Sequence, residues 1–190
     1  MNSAYPYQGL GFKLGDPFAI TYKYYASEKF GIVADFGKAS SGLYNRYYRE
    51  QFDAYVDIDT LSGEAELDYL THKVNADWVA ELRFLRHFDA KVVSPGLKAY
   101  VGLGGEMKYT NIMYQYLYNT DPNGNNNVNS LGQFDERRVT FGGQATVGIE
   151  YSHFQIPISA FMEIEMYIDL VRDPGWSKMQ GGAGLRYIFR

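Results

Sequence analysis

The sequence predicts an all-β chain closed into an eight-stranded antiparallel up-and-down β-barrel, and three observations carry that prediction. Eight segments alternate apolar and polar residues with a period of two, as a strand with two unlike faces does. The connections between them alternate short and long, and each segment is roughly 9–11 residues, the length of a tilted bilayer-crossing strand. Aromatic residues make up 17% of the chain, and 20 Gly stand against only 6 Pro, a balance that favours sheet over helix.

Each element can be justified in order. "GLGFKLG" sets Leu10, Phe12 and Leu14 against Gly9, Gly11, Lys13 and Gly15, and the Asp16-Pro17 turn follows. "FAITYKYY" sets Phe18, Ile20, Tyr22 and Tyr24 against Thr21, Lys23 and Tyr25. "FGIVADFG" alternates Phe30, Ile32, Ala34 and Phe36 with Val33 and Asp35. A long polar, Tyr-rich stretch then leads to "VNADWVAELRF", where Trp78, Ala80, Leu82 and Phe84 oppose Asp77, Val79, Glu81 and Arg83. Beyond Pro95-Gly96, "LKAYVGLGGEMKY" sets Val101, Leu103 and Met107 against Lys98, Tyr100, Glu106 and Lys108. A second long segment contains "NTDPNGNNNVNS". "RVTFGGQATVGIEYS" places Val139, Phe141, Val147, Ile149 and Tyr151 opposite Arg138, Gln144 and Glu150. After a tight "HFQIP" turn, Ala160, Met162, Ile164, Met166 and Ile168 face away from Glu163, Glu165, Tyr167 and Asp169. "RDPGWSK" precedes the last strand, "GGAGLRYIFR", in which Leu185, Tyr187 and Phe189 alternate with Arg186.

Alternation alone does not say which face points inward. A soluble lipocalin-like barrel, apolar inside, would line an apolar-ligand cavity with Trp78, Ile149, Met162 and Ile164. A membrane barrel would put all four against lipid. Charge segregation favours the second. The polar faces carry Lys13, Lys23, Arg83, Lys98, Lys108, Arg138 and Arg186, nearly balanced by Asp35, Asp77, Glu81, Glu106, Glu150, Glu163, Glu165 and Asp169. The apolar faces of these segments carry no charge, with Lys38 just past one strand's end. Such segregation is what hydrocarbon demands, because a mid-bilayer Arg or Lys costs about 2–4 kcal/mol. Glycine also concentrates on the polar faces, where a narrow eight-stranded lumen needs room for long side chains. At the short-turn end the apolar faces finish in Tyr24, Phe30, Phe84, Tyr151, Tyr187 and Phe189, an expected aromatic girdle at the membrane interface.

The terminal run Leu185, Tyr187, Phe189 resembles the insertion signal of outer-membrane barrels, with Arg190 a departure from the usual terminal aromatic. The whole chain, read as one domain over 1–190, resembles a small eight-stranded barrel of the OmpA/OmpX type from Gram-negative bacteria. The resemblance implies residence in the outer membrane, contact with its lipid, and insertion by the barrel-assembly machinery. An even strand number then places both termini on the periplasmic side. Long outer loops are expected at about 38–73 and 110–137.

Function is expected in those loops. They carry Tyr44, Tyr47, Tyr48, Tyr114, Tyr116 and Tyr118, and alternation continues past the expected span. These rings offer either contact area for a surface-protein partner, in a structural or adhesive role, or cross-strand stacking among themselves. A narrow channel is the next reading, opposed by a lumen plugged with charge. A lipid-modifying or proteolytic enzyme is a third, since of three His only His72 falls near the outer rim, with Asp68 four residues earlier and Ser62 in the same loop, a spacing that is no known signature; His87 and His153 fall at the short turns. No catalytic residue is assigned. No cofactor or metal site is assigned either: Asp121, Asn123 and Asn125 alternate as calcium ligands do, without the glycine and terminal acid of an EF-hand. The absence of Cys excludes thiol chemistry, and a net charge of −4 with no basic cluster argues against nucleic acid. "MNSAYPYQ" lacks the basic start and apolar run of a signal peptide, so an exported protein would be in its mature form here.

Overall fold

The computed structural model describes residues 5–40, 44–56, 67–90, 92–119, 129–153 and 155–190. The elements are β1 (Tyr7–Asp16), β2 (Phe18–Tyr25), β3 (Phe30–Lys38), α1 (Asn45–Glu50), α2 (Phe52–Val56), β4 (Leu67–Asp89), β5 (Leu97–Asn119), β6 (Asn129–Ser152), β7 (Ile158–Asp169) and β8 (Ser177–Phe189). The strands pair with their sequence neighbours around a closed ring, and β1 meets β8 antiparallel to complete it.

Contacts divide the chain into two compact units. One comprises Met1–Ser40, Trp78–Lys108 and Val139–Arg190; the other comprises Ser41–Asp77 and Tyr109–Arg138.

In the first unit the usual distribution of residues is inverted. Lys13, Lys23, Arg83, Glu165 and Arg186 are fully buried, while Phe12, Ile20, Leu103 and Ile164 lie exposed on the outside. Trp78 (43% exposed), Ile149 (43%), Met162 (56%) and Ile164 (54%) all face outward, which overturns the lipocalin-like alternative. The cause is strand parity. In β7, Ser159, Phe161, Glu163, Glu165, Tyr167 and Asp169 are buried and every residue between Ile158 and Ile168 on the other parity is turned out. Glycine makes the interior fit, at some positions for the close approach of a neighbouring backbone, as at Gly11, and at others for rings. A Cβ on Gly148 would stand 2.5 Å from Cζ of Tyr100, and one on Gly184 2.5 Å from Cζ of Phe161; Gly142 faces Tyr167 in the same way.

In the second unit, α1 and α2 pack against the stretches of β4, β5 and β6 that belong to it. Helices of six and five residues are too short to persist alone. They are held by Tyr48 and Phe52, both buried, among rings that include the buried Tyr114. The Phe52 ring centroid lies 5.3 Å from that of Tyr69 and 5.7 Å from that of Tyr114, and Tyr114 stacks on Phe134 at 5.2 Å.

Alternation past the expected span is strand, as β4, β5 and β6 run for 23, 23 and 24 residues, whereas α1 and α2 within 38–73 were not expected. The fourth strand also continues past Phe84 to Asp89. That places Arg86 on the exterior face and buries His87 on the interior face, so the exterior does carry charge at one rim, and His87 is not in a turn.

Candidate functional site

The interior of the first unit is a set of ion-pair clusters assembled from strands far apart in sequence. In the largest, two cations meet four carboxylates. Lys13 of β1 reaches Glu165 at 2.7 Å, Glu163 at 3.2 Å, Glu81 at 3.5 Å and Asp35 at 3.7 Å. Arg83 of β4 binds Asp35 and Glu165 closely, with Glu163 at 3.0 Å and Glu81 at 3.6 Å. The Tyr100 hydroxyl donates to Glu163 at 2.8 Å, and the Gln180 amide donates to Glu81 at 3.1 Å.

A second cluster centres on Glu150. Its carboxylate accepts hydrogen bonds from Lys23 at 2.5 Å, Tyr25 at 2.5 Å and Ser159 at 2.7 Å, with Arg186 at 3.4 Å. Arg186 also donates to the Thr21 hydroxyl at 2.9 Å and lies 3.6 Å from the Phe161 ring centroid. His87 closes this group, 3.9 Å from Glu150 and stacked near Tyr25. A third cluster joins Glu106 to Lys178 at 3.1 Å and to the Gln180 amide at 2.6 Å. Each pairing suits the low dielectric of a buried site, where a charge is tolerable only against its opposite.

Asp35, Glu163 and Glu165 present oxygens within 4.8 Å of one another, the nearest approach to a metal-ligand set among the described residues. Their shared space already receives the Lys13 ammonium and the Arg83 guanidinium. The other charges named from the sequence make further contacts. Lys98 lies at the short-turn rim, where it donates to the Tyr5 hydroxyl at 3.0 Å and the Glu28 carbonyl at 3.2 Å. Asp169 accepts from the Val171 and Arg172 amides and so caps a turn. Lys108 is buried within the first unit. Asp77 and Arg138 belong to the second unit, where Asp77 accepts from Thr110 at 3.4 Å and Arg138 donates to the Tyr55 hydroxyl at 3.0 Å.

The strand register gathers most of the short-turn aromatics. Phe84 pairs with Ile32, Ile32 with Tyr24, Tyr24 with Gln8, and Gln8 with Phe189, one continuous row across five strands. Tyr187, paired with Leu10, and Phe30 are exposed near this row, and Tyr151, on β6, is half-buried. Phe88, exposed on the same face of β4, belongs with them and escaped the sequence reading because Arg86 interrupts the apolar alternation.

Of the outer tyrosines, Tyr44, Tyr48 and Tyr114 are buried against one another and neighbouring rings, whereas Tyr47, Tyr116 and Tyr118 are only half-buried. For the first three, stacking is therefore the role observed. Tyr114 donates its hydroxyl proton to the Tyr48 carbonyl at 2.8 Å. His72 sits edge-on to Tyr48 at 5.8 Å and shares a 2.6 Å hydrogen bond with Tyr69, not with Asp68. Burial lowers the His72 pKa below its ordinary 6.5 and raises that of Tyr69. Ser62, the third member of the catalytic reading, and Asp121, Asn123 and Asn125 lie outside the described residues.

No protein-family model matches the sequence, and no curated protein matches it. Solved structures do. The N-terminal β-barrel domain of OprF from Pseudomonas aeruginosa aligns over 97% of both chains at 14% identity, with a TM-score of 0.53. CarO of Acinetobacter baumannii aligns over 95% of this chain and 97% of its own at 10% identity and a TM-score of 0.44. Ail of Yersinia pestis, solved with the heparin analogue sucrose octasulfate, aligns over 97% of both chains at 8% identity and 0.35. The fold of this chain is that of the small eight-stranded outer-membrane β-barrels.

Proposed function

We propose that this protein resides in the bacterial outer membrane, as a barrel closed to ions, and acts as a structural or surface-interaction protein through the segments joining β3 to β4 and β5 to β6. The observation that carries the reading is the inversion of the first unit, with Arg83 and Glu165 fully buried inside and Phe84, Leu103 and Met162 turned out. Water would reward the opposite arrangement; hydrocarbon rewards this one. Closure is supported by the Lys13–Arg83 and Lys23–Arg186 clusters, whose partners come from β1, β2, β3, β4, β6, β7 and β8. A surface role is supported by the partly exposed Tyr47, Tyr116 and Tyr118 and the exposed Arg46, Arg49 and Glu50 of α1, all in the second unit, a mixture of rings and charges suited to a protein partner. An enzymatic role has less support, since the His72 ring is engaged by Tyr69. In this reading both termini face the periplasm and the assembly machinery inserts the chain.

Gel mobility, boiled against unboiled, after folding with and without detergent micelles tests it. A mobility shift that requires detergent is the expected result. A protein that folds as a soluble monomer without detergent would overturn the membrane reading.

A further inference from the structure

Among the described strand positions of the first unit, the exterior face carries two exposed charges, Lys38 and Arg86, and both lie on the same strand pair. They stand at its opposite ends: Arg86 pairs with Phe30, the first residue of β3, and Lys38, the last, pairs with Trp78. Each is set against exposed rings. The Arg86 guanidinium lies 5.9 Å from the Phe30 centroid and 5.7 Å from that of Phe88. The Lys38 ammonium lies 5.9 Å from the Trp78 centroid, and Trp78 stacks on Phe36 at 5.6 Å. Between the two cations the exterior residues are Ile32, Ala34, Phe36, Ala80, Leu82 and Phe84, all apolar.

The spacing matches a bilayer. The nine residues of β3 rise about 27 Å along the strand. A tilt of about 40° reduces that to roughly 20 Å along the membrane normal, and both side chains are long enough to reach further outward. The charges therefore bracket an apolar band of about the 25 Å that outer-membrane barrels present. A cation is costly at mid-bilayer and nearly free at the interface, so both belong at headgroup level, where the chemistry that answers them is phosphate.

We propose that Lys38 and Arg86 are two lipid-phosphate anchors, one for each leaflet, and that the β3–β4 seam between them is a preferred stripe for phosphate-bearing lipid. The proposal rests on the outer-membrane reading above. The occupant is a lipid and not free phosphate, because the belt of Ile32, Leu82 and Phe84 that joins the two cations is made for acyl chain.

The test is native mass spectrometry of lipid retained by the folded protein, in micelles doped with phosphatidylglycerol or with phosphate-free diacylglycerol. The wild type is expected to retain phosphatidylglycerol at least threefold better than diacylglycerol. Lys38→Gln and Arg86→Gln should each lose about half of that preference and the double variant nearly all of it, and Arg86→Lys and Lys38→Arg should keep it. Equal retention of the two lipids by the wild type, or an unchanged preference in both Gln variants, would overturn the proposal. The boiled-against-unboiled shift, run on the same samples, separates the two readings. Variants that fold in detergent yet keep the wild-type lipid preference sink the anchors alone, and a wild type that folds without detergent sinks both.

Discussion

At the scale of single residues, the decisive fact is that four buried carboxylates share two cations. Replacing Arg83 by Met would leave Asp35, Glu81, Glu163 and Glu165 facing Lys13 alone. Removing one partner of a buried pair costs about 3–5 kcal/mol. Urea unfolding of the micelle-bound barrel should show a loss of that order for Arg83→Met, with partial recovery in Arg83→Met/Glu165→Gln, where one orphaned charge is also gone. Gly148 tests the space rather than the charge. Valine there would drive its side chain into the Tyr100 ring, and overpacking of this kind costs about 1–3 kcal/mol. The Gly148→Val barrel should unfold at lower urea, and Tyr100→Leu in the same chain should restore part of the loss. At this scale the sequence was half legible. Alternation told which way Lys13 and Glu165 point, because parity is local. It could not say that they meet, because that depends on the stagger around the ring, which no single strand records.

Among the elements, the strands of the first unit were legible and α1 and α2 were not. A helix of six residues whose N-cap, Tyr44, makes no side-chain hydrogen bond leaves no start signal, and tertiary packing of Tyr48 and Phe52 forms it instead. The far end of β4 was missed for another reason: Arg86 sits where an apolar residue was required, and at an interface that rule relaxes. The second unit also has a pH response of its own. Burial holds the His72 pKa below 6.5, so the folded unit takes up its proton at lower pH than the unfolded chain does. Its contribution is complete above about pH 6.5 and is lost as pH falls below that value towards the lowered folded pKa. Limited proteolysis within 44–56 should therefore quicken between about pH 7.5 and about pH 5.5, and His72→Phe should flatten the dependence. An equal acid response in His72→Phe would locate the titration elsewhere.

For the molecule as a whole, the ring and its ion pairs predict electrical silence. Planar bilayers carrying the wild type should show no discrete current steps, and reproducible steps would mean that the clusters around Lys13 and Glu150 part to make a path. The ring has one more consequence, which concerns time. β1 has two neighbours, and one of them is β8, whose Phe189 pairs with Gln8 across almost the full length of the chain. Seven strands of the eight would leave a sheet with two raw edges, each an invitation to a strand of some other chain. The barrel therefore has no self-sufficient half-finished form: until its last strand arrives, its two edges need a cover that the finished ring does not.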